Sequence, residues 1–312
     1  MREVLITEHE AGVRLDRYLR KLLPKIPLAG IFKHVRNGTI RVDGRKVAGD
    51  MRLQAGMKVQ MYLSDADLAT ARQAPPPPPL QVPPAQLLAP ELTPRLVRKD
   101  EHFLAIAKPA GLAVHGGTGI THSVVDWLAT QRVGVRTGTW KPAPAHRIDR
   151  GTSGLLLIGL VPEALRALTA AFRDGAVKKV YHAVVHGVPK ATSGTIRAPL
   201  YVEPGADRRE AKVVVDPRGQ NATTDYEVAR TGRHMALLRV MPHEGRQHQI
   251  RAHLAHLGHA IMGDRRYGSV ADMGRGFLLH CSELAFPHPA TGKLVELREP
   301  LPPAFLQLFA PE

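Results

Sequence analysis

The N-terminal part of the chain carries apolar residues at helical spacing. Five of them would share one face of a helix: Leu15, Tyr18, Leu19, Leu22 and Leu23. Further along, residues 40–47 alternate in polarity around Asp43 and Gly44, and an Asp-Gly pair is typical of a tight hairpin turn. The pattern predicts a small module of helix, turn, helix and hairpin within residues 1–63.

From about residue 96 onward, short strand-like and helix-like apolar patterns alternate irregularly. Four segments predict strands (103–107, 155–158, 180–185 and 235–241) and two predict helices (164–172 and 248–257). Because no regular succession of strand, helix and parallel strand appears, we expect an α+β domain over residues 96–312, with a mixed, mainly antiparallel sheet.

The two regions are separated by a proline-rich segment. Nine of the 20 residues from 75 to 94 are proline, including the unbroken run 75–79. Proline lacks the backbone N–H that a helix or a sheet requires, so such a run favours an extended polyproline II conformation. We therefore expect residues 64–95 to be a linker between two domains.

Charge changes this picture most. The chain has 43 Lys and Arg against 28 Asp and Glu, a formal net charge of +15, which favours a polyanionic partner such as nucleic acid. Residues 14–62 alone hold 12 Lys and Arg against 3 Asp. A merely solvated basic face is the alternative to a phosphate-binding one. Six residues are the candidates for phosphate contact: Arg14, Arg17, Arg20, Lys21, Lys33 and Arg36.

Other classes of protein are disfavoured by composition. No apolar run approaches the ~20 residues needed to span a bilayer, and no signal-peptide pattern follows the N-terminus, so we expect no membrane partner and a cytoplasmic location. The only cysteine, Cys281, cannot form an intramolecular disulfide or a thiolate cluster, and we expect it to be a buried packing residue. No obligate protein partner is evident.

The most informative segment is His-Arg-Ile-Asp-Arg-Gly-Thr-Ser-Gly at residues 146–154. It sets Asp149 between Arg147 and Arg150, ahead of a predicted turn and the buried strand, so we expect the carboxylate to stay ionised. An ionised carboxylate at the edge of a strand is a candidate nucleophile. The alternative interpretation is an ion-pair patch that caps the strand.

Three more segments accompany it: Lys-Pro-Ala-Gly-Leu-Ala-Val-His-Gly-Gly at 108–117, Lys-Val-Tyr-His-Ala-Val-Val at 179–185 and Gly-Arg-Gln-His-Gln-Ile-Arg-Ala-His-Leu at 245–254. In order, spacing and content, the four motifs resemble the RluA-type family of RNA pseudouridine synthases. The N-terminal sequences Arg-Leu-Asp-Arg-Tyr-Leu and Asn-Gly-Thr-Ile-Arg-Val-Asp-Gly-Arg-Lys-Val resemble the S4 RNA-binding domain. The resemblance implies a pseudouridine synthase domain with a central cleft, preceded by a small S4-like α/β domain.

The resemblance also implies an activity and its catalytic residues. Such an enzyme isomerises uridine to pseudouridine in RNA without a cofactor or a metal ion. Asp149 matches the essential carboxylate, and Arg246 matches the arginine that pairs with that carboxylate and orients it. Tyr181 matches the tyrosine that stacks on the base and whose hydroxyl helps to remove the C5 proton.

Three further residues are implied to bind the substrate. His146 and Arg147 adjoin Asp149, and the counterpart of Arg147 grips phosphate or fills the space left by the extruded base. Ile250 is expected one helical turn after Arg246, where it can pack against the tyrosine and the base.

The substrate implied is ribosomal RNA of the large subunit, and a transfer RNA is an alternative. A noncatalytic RNA-binding or ribosome-assembly protein is a hypothesis from a different class. A zinc enzyme is a third possibility, because five histidines crowd one segment: His243, His248, His253, His256 and His259. That segment lacks an H-E-x-x-H motif and nearby thiolates, so we expect no metal site there.

Overall fold

The structure is a computed structural model. It describes residues 1–64, 90–117, 120–135, 140–204, 212–274 and 276–309. Contacts between Cα atoms divide the chain into two compact units, one comprising residues 1–87, 129–143 and 160–163, the other residues 88–128, 144–159 and 164–312. The predicted linker at 64–95 lies largely outside the described residues. The predicted domain boundaries therefore stay predictions.

The first unit contains two helices and a small antiparallel sheet. Its elements are β1 (Arg2–Leu5), α1 (Leu15–Leu22), α2 (Leu28–Asn37), β2 (Ile40–Val42) and β3 (Lys58–Met61), and the strand order is β1-β3-β2. The predicted apolar face of α1 is confirmed, because Leu15, Tyr18 and Leu19 are buried in the core of this unit. Helix α2 ends at Gly38, whose left-handed conformation (φ 76°) brings its N–H to the carbonyls of the last turn.

The predicted hairpin at residues 40–47 is only partly correct. Val42 and Arg45 exchange backbone hydrogen bonds of 3.0 and 2.9 Å around the Asp43-Gly44 turn, as expected. After this turn, the chain does not continue as the second strand of a hairpin. Instead, β2 pairs with β3, and Ile40 lies opposite Met61. The Asp43 N–H donates to the Lys58 carbonyl at 2.9 Å, which extends the pairing with β3 by one hydrogen bond.

The second unit is built on a large sheet. The described strands are β4 (Arg95–Lys99), β5 (Phe103–Lys108), β6 (Ala143–Pro144), β7 (Ser153–Gly159), β8 (Lys178–His186), β9 (Ser193–Arg197), β10 (Leu200–Glu203), β11 (Lys212–Val215), β12 (Thr223–Thr231), β13 (Met235–Pro242), β14 (Leu279–Pro287) and β15 (Leu294–Arg298). The main order is β4-β5-β7-β14-β8-β13-β12-β9, with β15 beside β14 and β6 beside β7, while β10 and β11 form a separate pair.

This arrangement confirms the predicted fold class. Along the main order and between β14 and β15, neighbouring strands are antiparallel except for β7 and β14, which run parallel. The remaining described helices are α3 (Val124–Thr130), α4 (Pro162–Arg173), α5 (Gln249–His256) and α6 (Pro303–Gln307). None of the helices in the described part of the chain is both long and apolar enough to cross a membrane.

Three central strands and one helix position the candidate site. All seven residues of β7 are buried, as its apolar sequence predicts, and the Asp149 loop leads directly into this strand. The late strand β14 lies between β7 and β8. Helix α5 follows β13, so the Asp149 loop, the Tyr181 strand and the Arg251 helix can converge on one cavity.

Candidate active site

The Asp149 loop is held by backbone hydrogen bonds. The Thr152 N–H donates to the Asp149 carbonyl at 3.1 Å, and the Gly111 N–H donates to the Arg150 carbonyl at 2.8 Å. Lys108 is 1% exposed, and its Nζ donates to the Arg150 carbonyl at 3.3 Å. Burial lowers the pKa of Lys108 to about 7, against the opposing influence of the Asp149 charge. These bonds fix the backbone from which the Asp149 side chain projects.

The cation that pairs with Asp149 is Arg251, which was not among the predicted site residues. Nη1 of Arg251 donates to Oδ2 of Asp149 at 2.9 Å, while Nε and Nη2 donate to the two carboxylate oxygens of Asp264 at 2.6 and 2.9 Å. The Arg251 side chain is 8% exposed and that of Asp149 is 22% exposed. The ion pair is therefore largely shielded from water, with the carboxylate still reachable.

The predicted pairing of Arg246 with Asp149 is wrong. Arg246 is exposed, and its Nε donates to the Asn221 carbonyl at 3.3 Å. The pairing rested on matching Arg246, rather than Arg251, to the arginine of the family motif. Helix α5 begins only at Gln249, after His248 in a left-handed conformation, so Arg246 lies in the preceding loop and does not share a helix face with Ile250.

The two arginines beside Asp149 in the sequence do not hold its carboxylate. Arg150 turns its Nε to the Gly111 carbonyl at 2.9 Å, and Arg147 is exposed at the cavity. The expectation that Asp149 lies between two guanidinium groups is thus corrected, since the charge partner comes from α5, 102 residues further along the chain.

Arg251 could have been suspected from its surroundings. It lies within the run Ile250–Leu254, of which every residue is buried in the structure. A guanidinium in an otherwise buried helical segment requires a carboxylate partner. Asp264, in the loop that follows α5, supplies one such partner.

Tyr181 lies in the central strand β8, opposite Cys281 of β14 and Val240 of β13. Its ring packs against the apolar clusters on both sides, and Cys281 is fully buried as predicted. Burial raises the pKa of Tyr181 well above its ordinary value, and the neighbouring Cys281 and Asp149 groups raise it further. The phenol is therefore neutral at neutral pH.

His146 belongs to the wall of the cavity. The Leu157 N–H donates to its Nε2 at 3.1 Å, and its ring stacks on Phe172 with centroids 4.1 Å apart. Burial lowers the pKa of His146 to about 3, with a smaller contribution from the Lys179 charge. The ring is neutral, and because Nε2 accepts a proton donor, its own proton lies on Nδ1.

His248 lies beside Asp149 at the start of α5. Its backbone has φ 52° and ψ 20°, a left-handed conformation that is costly for a residue with a side chain. Nδ1 is 2.9 Å from the Tyr267 hydroxyl, and Nε2 is 3.8 Å from Oδ1 of Asp149. Burial lowers the pKa of His248 to about 4, so the ring is neutral beside the carboxylate.

These side chains line a single cavity of about 620 Å³. The structure brings together all six residues that were predicted for catalysis and substrate binding: Asp149, Tyr181, Arg246, His146, Arg147 and Ile250. Lys179 also lines it, and Nζ of Lys179 donates to the Glu244 carbonyl at 3.0 Å. The cavity thus combines the carboxylates of Asp149, Asp174 and Glu244 with several cations and apolar surface.

The crowded histidines make separate hydrogen bonds. His253 is 2.9 Å from the Thr224 hydroxyl, His243 is 2.6 Å from Asp225, and His259 is 2.9 Å from the His186 carbonyl. In the described ranges, the group of side chains with ligand atoms close enough for a metal ion lies elsewhere, at Asp100, His102 and His288. There, Nδ1 of His288 accepts the N–H groups of residues 290 and 291, so its Nε2 carries the proton and cannot be a neutral metal ligand.

The basic residues predicted to contact RNA lie on the helices of the first unit. Five are exposed on α1 and α2: Arg17, Arg20, Lys21, Lys33 and Arg36. Arg14 differs from them, because it donates to both carboxylate oxygens of Asp16 at 3.1 and 2.9 Å. Its charge is therefore partly neutralised within the protein.

Solved structures define the class of fold. The chain is similar to human RNA pseudouridylate synthase domain containing 1, with 23% identity, a TM-score of 0.58 and coverage of 71% of this chain and 88% of that one. A second similar structure is human RNA pseudouridylate synthase domain containing 4, with 24% identity, a TM-score of 0.55 and coverage of 69% and 91%. The fold is thus that of pseudouridine synthase domains.

Sequence comparisons add the family. The family described as RNA pseudouridylate synthase matches residues 102–256. Ribosomal large subunit pseudouridine synthase C of Vibrio cholerae is 34% identical over 95% of this chain and 92% of its own length. The protein of the same name from Escherichia coli K12 is 32% identical over 96% and 92%. The chain belongs to the RluA-type family of RNA pseudouridine synthases and is an enzyme of that activity.

Proposed function

We propose that this enzyme isomerises uridines in ribosomal RNA of the large subunit, with Asp149 as the essential carboxylate. The observation that carries the proposal is the Asp149–Arg251 ion pair of 2.9 Å at the wall of a cavity large enough for a nucleoside. The names of the relatives, which cover nearly the whole chain, support large-subunit RNA as the substrate.

The reaction requires no redox change. The bond from ribose C1′ to N1 of uracil breaks, the bond from C1′ to C5 forms, and the C5 proton leaves while N1 gains a proton. Both candidate first steps, attack of a carboxylate on C1′ and removal of a ribose proton, require an anion. Arg251 binds Oδ2 of Asp149 and leaves Oδ1 facing the neutral His248, so Oδ1 is the oxygen that we assign to the chemistry.

The uridine must leave its base stack to reach Asp149. Turning a base out of RNA costs a few kcal/mol, which contacts in a pocket must offset. The ring of Tyr181 and the side chain of Ile250 offer the apolar surface for this, and the exposed Arg147 and Arg246 offer cations to the flanking phosphates. Cations at the rim and apolar groups inside suit a nucleotide.

The raised pKa of Tyr181 refines its expected role. A neutral phenol can stack on uracil and donate a hydrogen bond, but it must lose its own proton before it can accept the proton from C5. We therefore propose that Tyr181 is first a stacking platform.

The first unit completes the proposal. It carries exposed basic residues on α1 and α2, consistent with an S4-like module that docks on structured RNA. Its cations would contact phosphates, which strengthens binding without selecting the base.

The experiment compares a deletion strain complemented with the wild-type gene or with Asp149→Asn. Asn is nearly isosteric with Asp but has no charge, so we expect RNA binding to persist while pseudouridine formation falls at least about 1,000-fold. Pseudouridines are mapped in total RNA, and binding is measured with transcribed large-subunit RNA.

Two results would contradict the proposal. Normal modification by Asp149→Asn would remove the carboxylate from the mechanism. Loss of pseudouridines only from transfer RNA in the deletion strain would leave the chemistry intact but identify the other substrate class.

A further inference from the structure

Arg251 is held by more than its two carboxylate partners. Three of its in-plane N–H groups donate to Asp149 and Asp264, and two aromatic rings lie against it. Cζ of Arg251 is 4.4 Å from the centroid of the Phe277 ring and 4.8 Å from that of Tyr267. A guanidinium this close to an aromatic ring is stabilised by the ring quadrupole, and more strongly where water is excluded.

Phe277 can occupy this position only because residue 151 is glycine. A Cβ atom on Gly151 would lie 2.5 Å from Cε1 and 2.8 Å from Cδ1 of Phe277, closer than real Cβ contacts. Gly151 is not among the glycines with positive φ, so its backbone would accept an L residue. The missing Cβ is therefore required by the Phe277 ring and not by the backbone.

The two residues are also joined through the main chain. The Phe277 N–H points to the Gly151 carbonyl at 3.4 Å, in the loop that carries Asp149. The same ring thus contacts the segment that presents the carboxylate and the guanidinium that pairs with it. A residue that only filled space in the core would need contact with neither Gly151 nor Arg251, because an aliphatic side chain could fill the same space.

We propose that Phe277, admitted by Gly151, is a positioning residue that holds Arg251 against Asp149. The inference rests on the proposed role of Asp149 and adds residues that keep its charge partner in place. The ring covers the guanidinium, keeps water from the ion pair and limits rotation of the Arg251 side chain. Replacing the ring would leave the carboxylate present but less constrained.

The test compares Gly151→Ala, Phe277→Leu and the double variant with the wild type and Asp149→Asn. Single-turnover rates at saturating transcribed large-subunit RNA report on the chemistry, and the Kd reports on binding. We expect each single variant to lower the rate about 10-fold with the Kd nearly unchanged, as removal of a desolvated cation–π interaction predicts. The double variant should be no slower than Phe277→Leu, because the new Cβ then meets no ring.

A matched control separates positioning from packing. Phe305 is 2% exposed and belongs to a different apolar cluster, away from Arg251. Phe305→Leu should lower the melting temperature without changing the single-turnover rate. A purely structural role for Phe277 would give the same result for Phe277→Leu.

Two outcomes would overturn the inference: a wild-type rate for Phe277→Leu, or losses in the two single variants that add in the double variant. If Asp149→Asn is also as active as the wild type, the proposed function fails as well. If Asp149→Asn is inactive while Phe277→Leu is normal, only the positioning role fails. Should Gly151→Ala not fold, the rate of Phe277→Leu alone decides.

Discussion

At the scale of single residues, the site depends on which arginine reaches Asp149. The motif at residues 245–254 predicted the correct segment of the chain, because Arg246 and Arg251 both line the cavity. Only Arg251 forms the ion pair, and it also binds Asp264 through two hydrogen bonds. A guanidinium can serve two carboxylates at once because its donors point in fixed, different directions. Lysine has no such fork.

The residue-scale prediction compares Arg251→Lys with Arg246→Lys. Arg251→Lys should lower the single-turnover rate about 100-fold or more, because it breaks a shielded network that lysine cannot rebuild. Arg246→Lys should keep the rate within about threefold, because its exposed side chain retains a positive charge. Single-turnover kinetics on large-subunit RNA provide the measurement. The reverse order of effects would favour Arg246 as the partner of the catalytic carboxylate.

At the scale of elements, periodicity located the strands and α5 well, but it did not predict the left-handed turn before α5. Strands β5, β8 and β13 match their predicted segments to within two residues at either end. The predicted helix 248–257 agrees with α5 (Gln249–His256) to within one residue at either end, although apolar spacing carries no signal for the left-handed conformation of His248. Arg246 lies before that turn, so the expected spacing of one helical turn from Arg246 to Ile250 was wrong. The partner of β2 was also missed, since pairing with β3 depends on contacts beyond the local sequence.

The element-scale prediction concerns the basic face of α1. Replacing Arg17, Arg20 and Lys21 by alanine should weaken RNA binding and flatten its salt dependence, by a slope of about 0.7 to 0.9 for each phosphate that is no longer neutralised. These side chains are exposed, so the fold should persist. Binding isotherms at several salt concentrations give the slope, and the single-turnover rate at saturating RNA should not change.

The matched control removes three exposed cations of the second unit: Lys190, Lys293 and Arg298. It alters net charge by the same amount. If both triple variants lower the slope equally, general charge attraction explains binding and α1 has no docking role.

At the scale of the whole molecule, buried histidines make stability sensitive to acid. Burial lowers the pKa of His146 to about 3 and those of His248 and His280 to about 4. Below the ordinary histidine pKa, the unfolded chain binds protons at these rings that the folded chain does not. Stability is therefore full above about pH 6.5 and falls as the pH drops toward 4.

We expect the free energy of unfolding to fall by up to about 1.4 kcal/mol per pH unit for each of these histidines as the pH drops from about 6.5 toward 4. Urea unfolding at pH 7.5 and pH 5.5 measures it. His280→Gln should reduce the difference between the two pH values, whereas His234→Gln, at an exposed position, should not. A free energy of unfolding that is equal at both pH values would show that the buried rings do not control the acid response.

The position of β14 also determines when the central sheet can form during translation. Residues 279–287 form the strand between β7 and β8, although both neighbours emerge from the ribosome more than 90 residues earlier. Until β14 arrives, the two waiting strands have unpaired edges, which are prone to join with other chains. The growing chain therefore cannot close its central sheet until residues 279–287 have been translated, and a nascent fragment ending before β14 should depend on chaperones to stay monomeric.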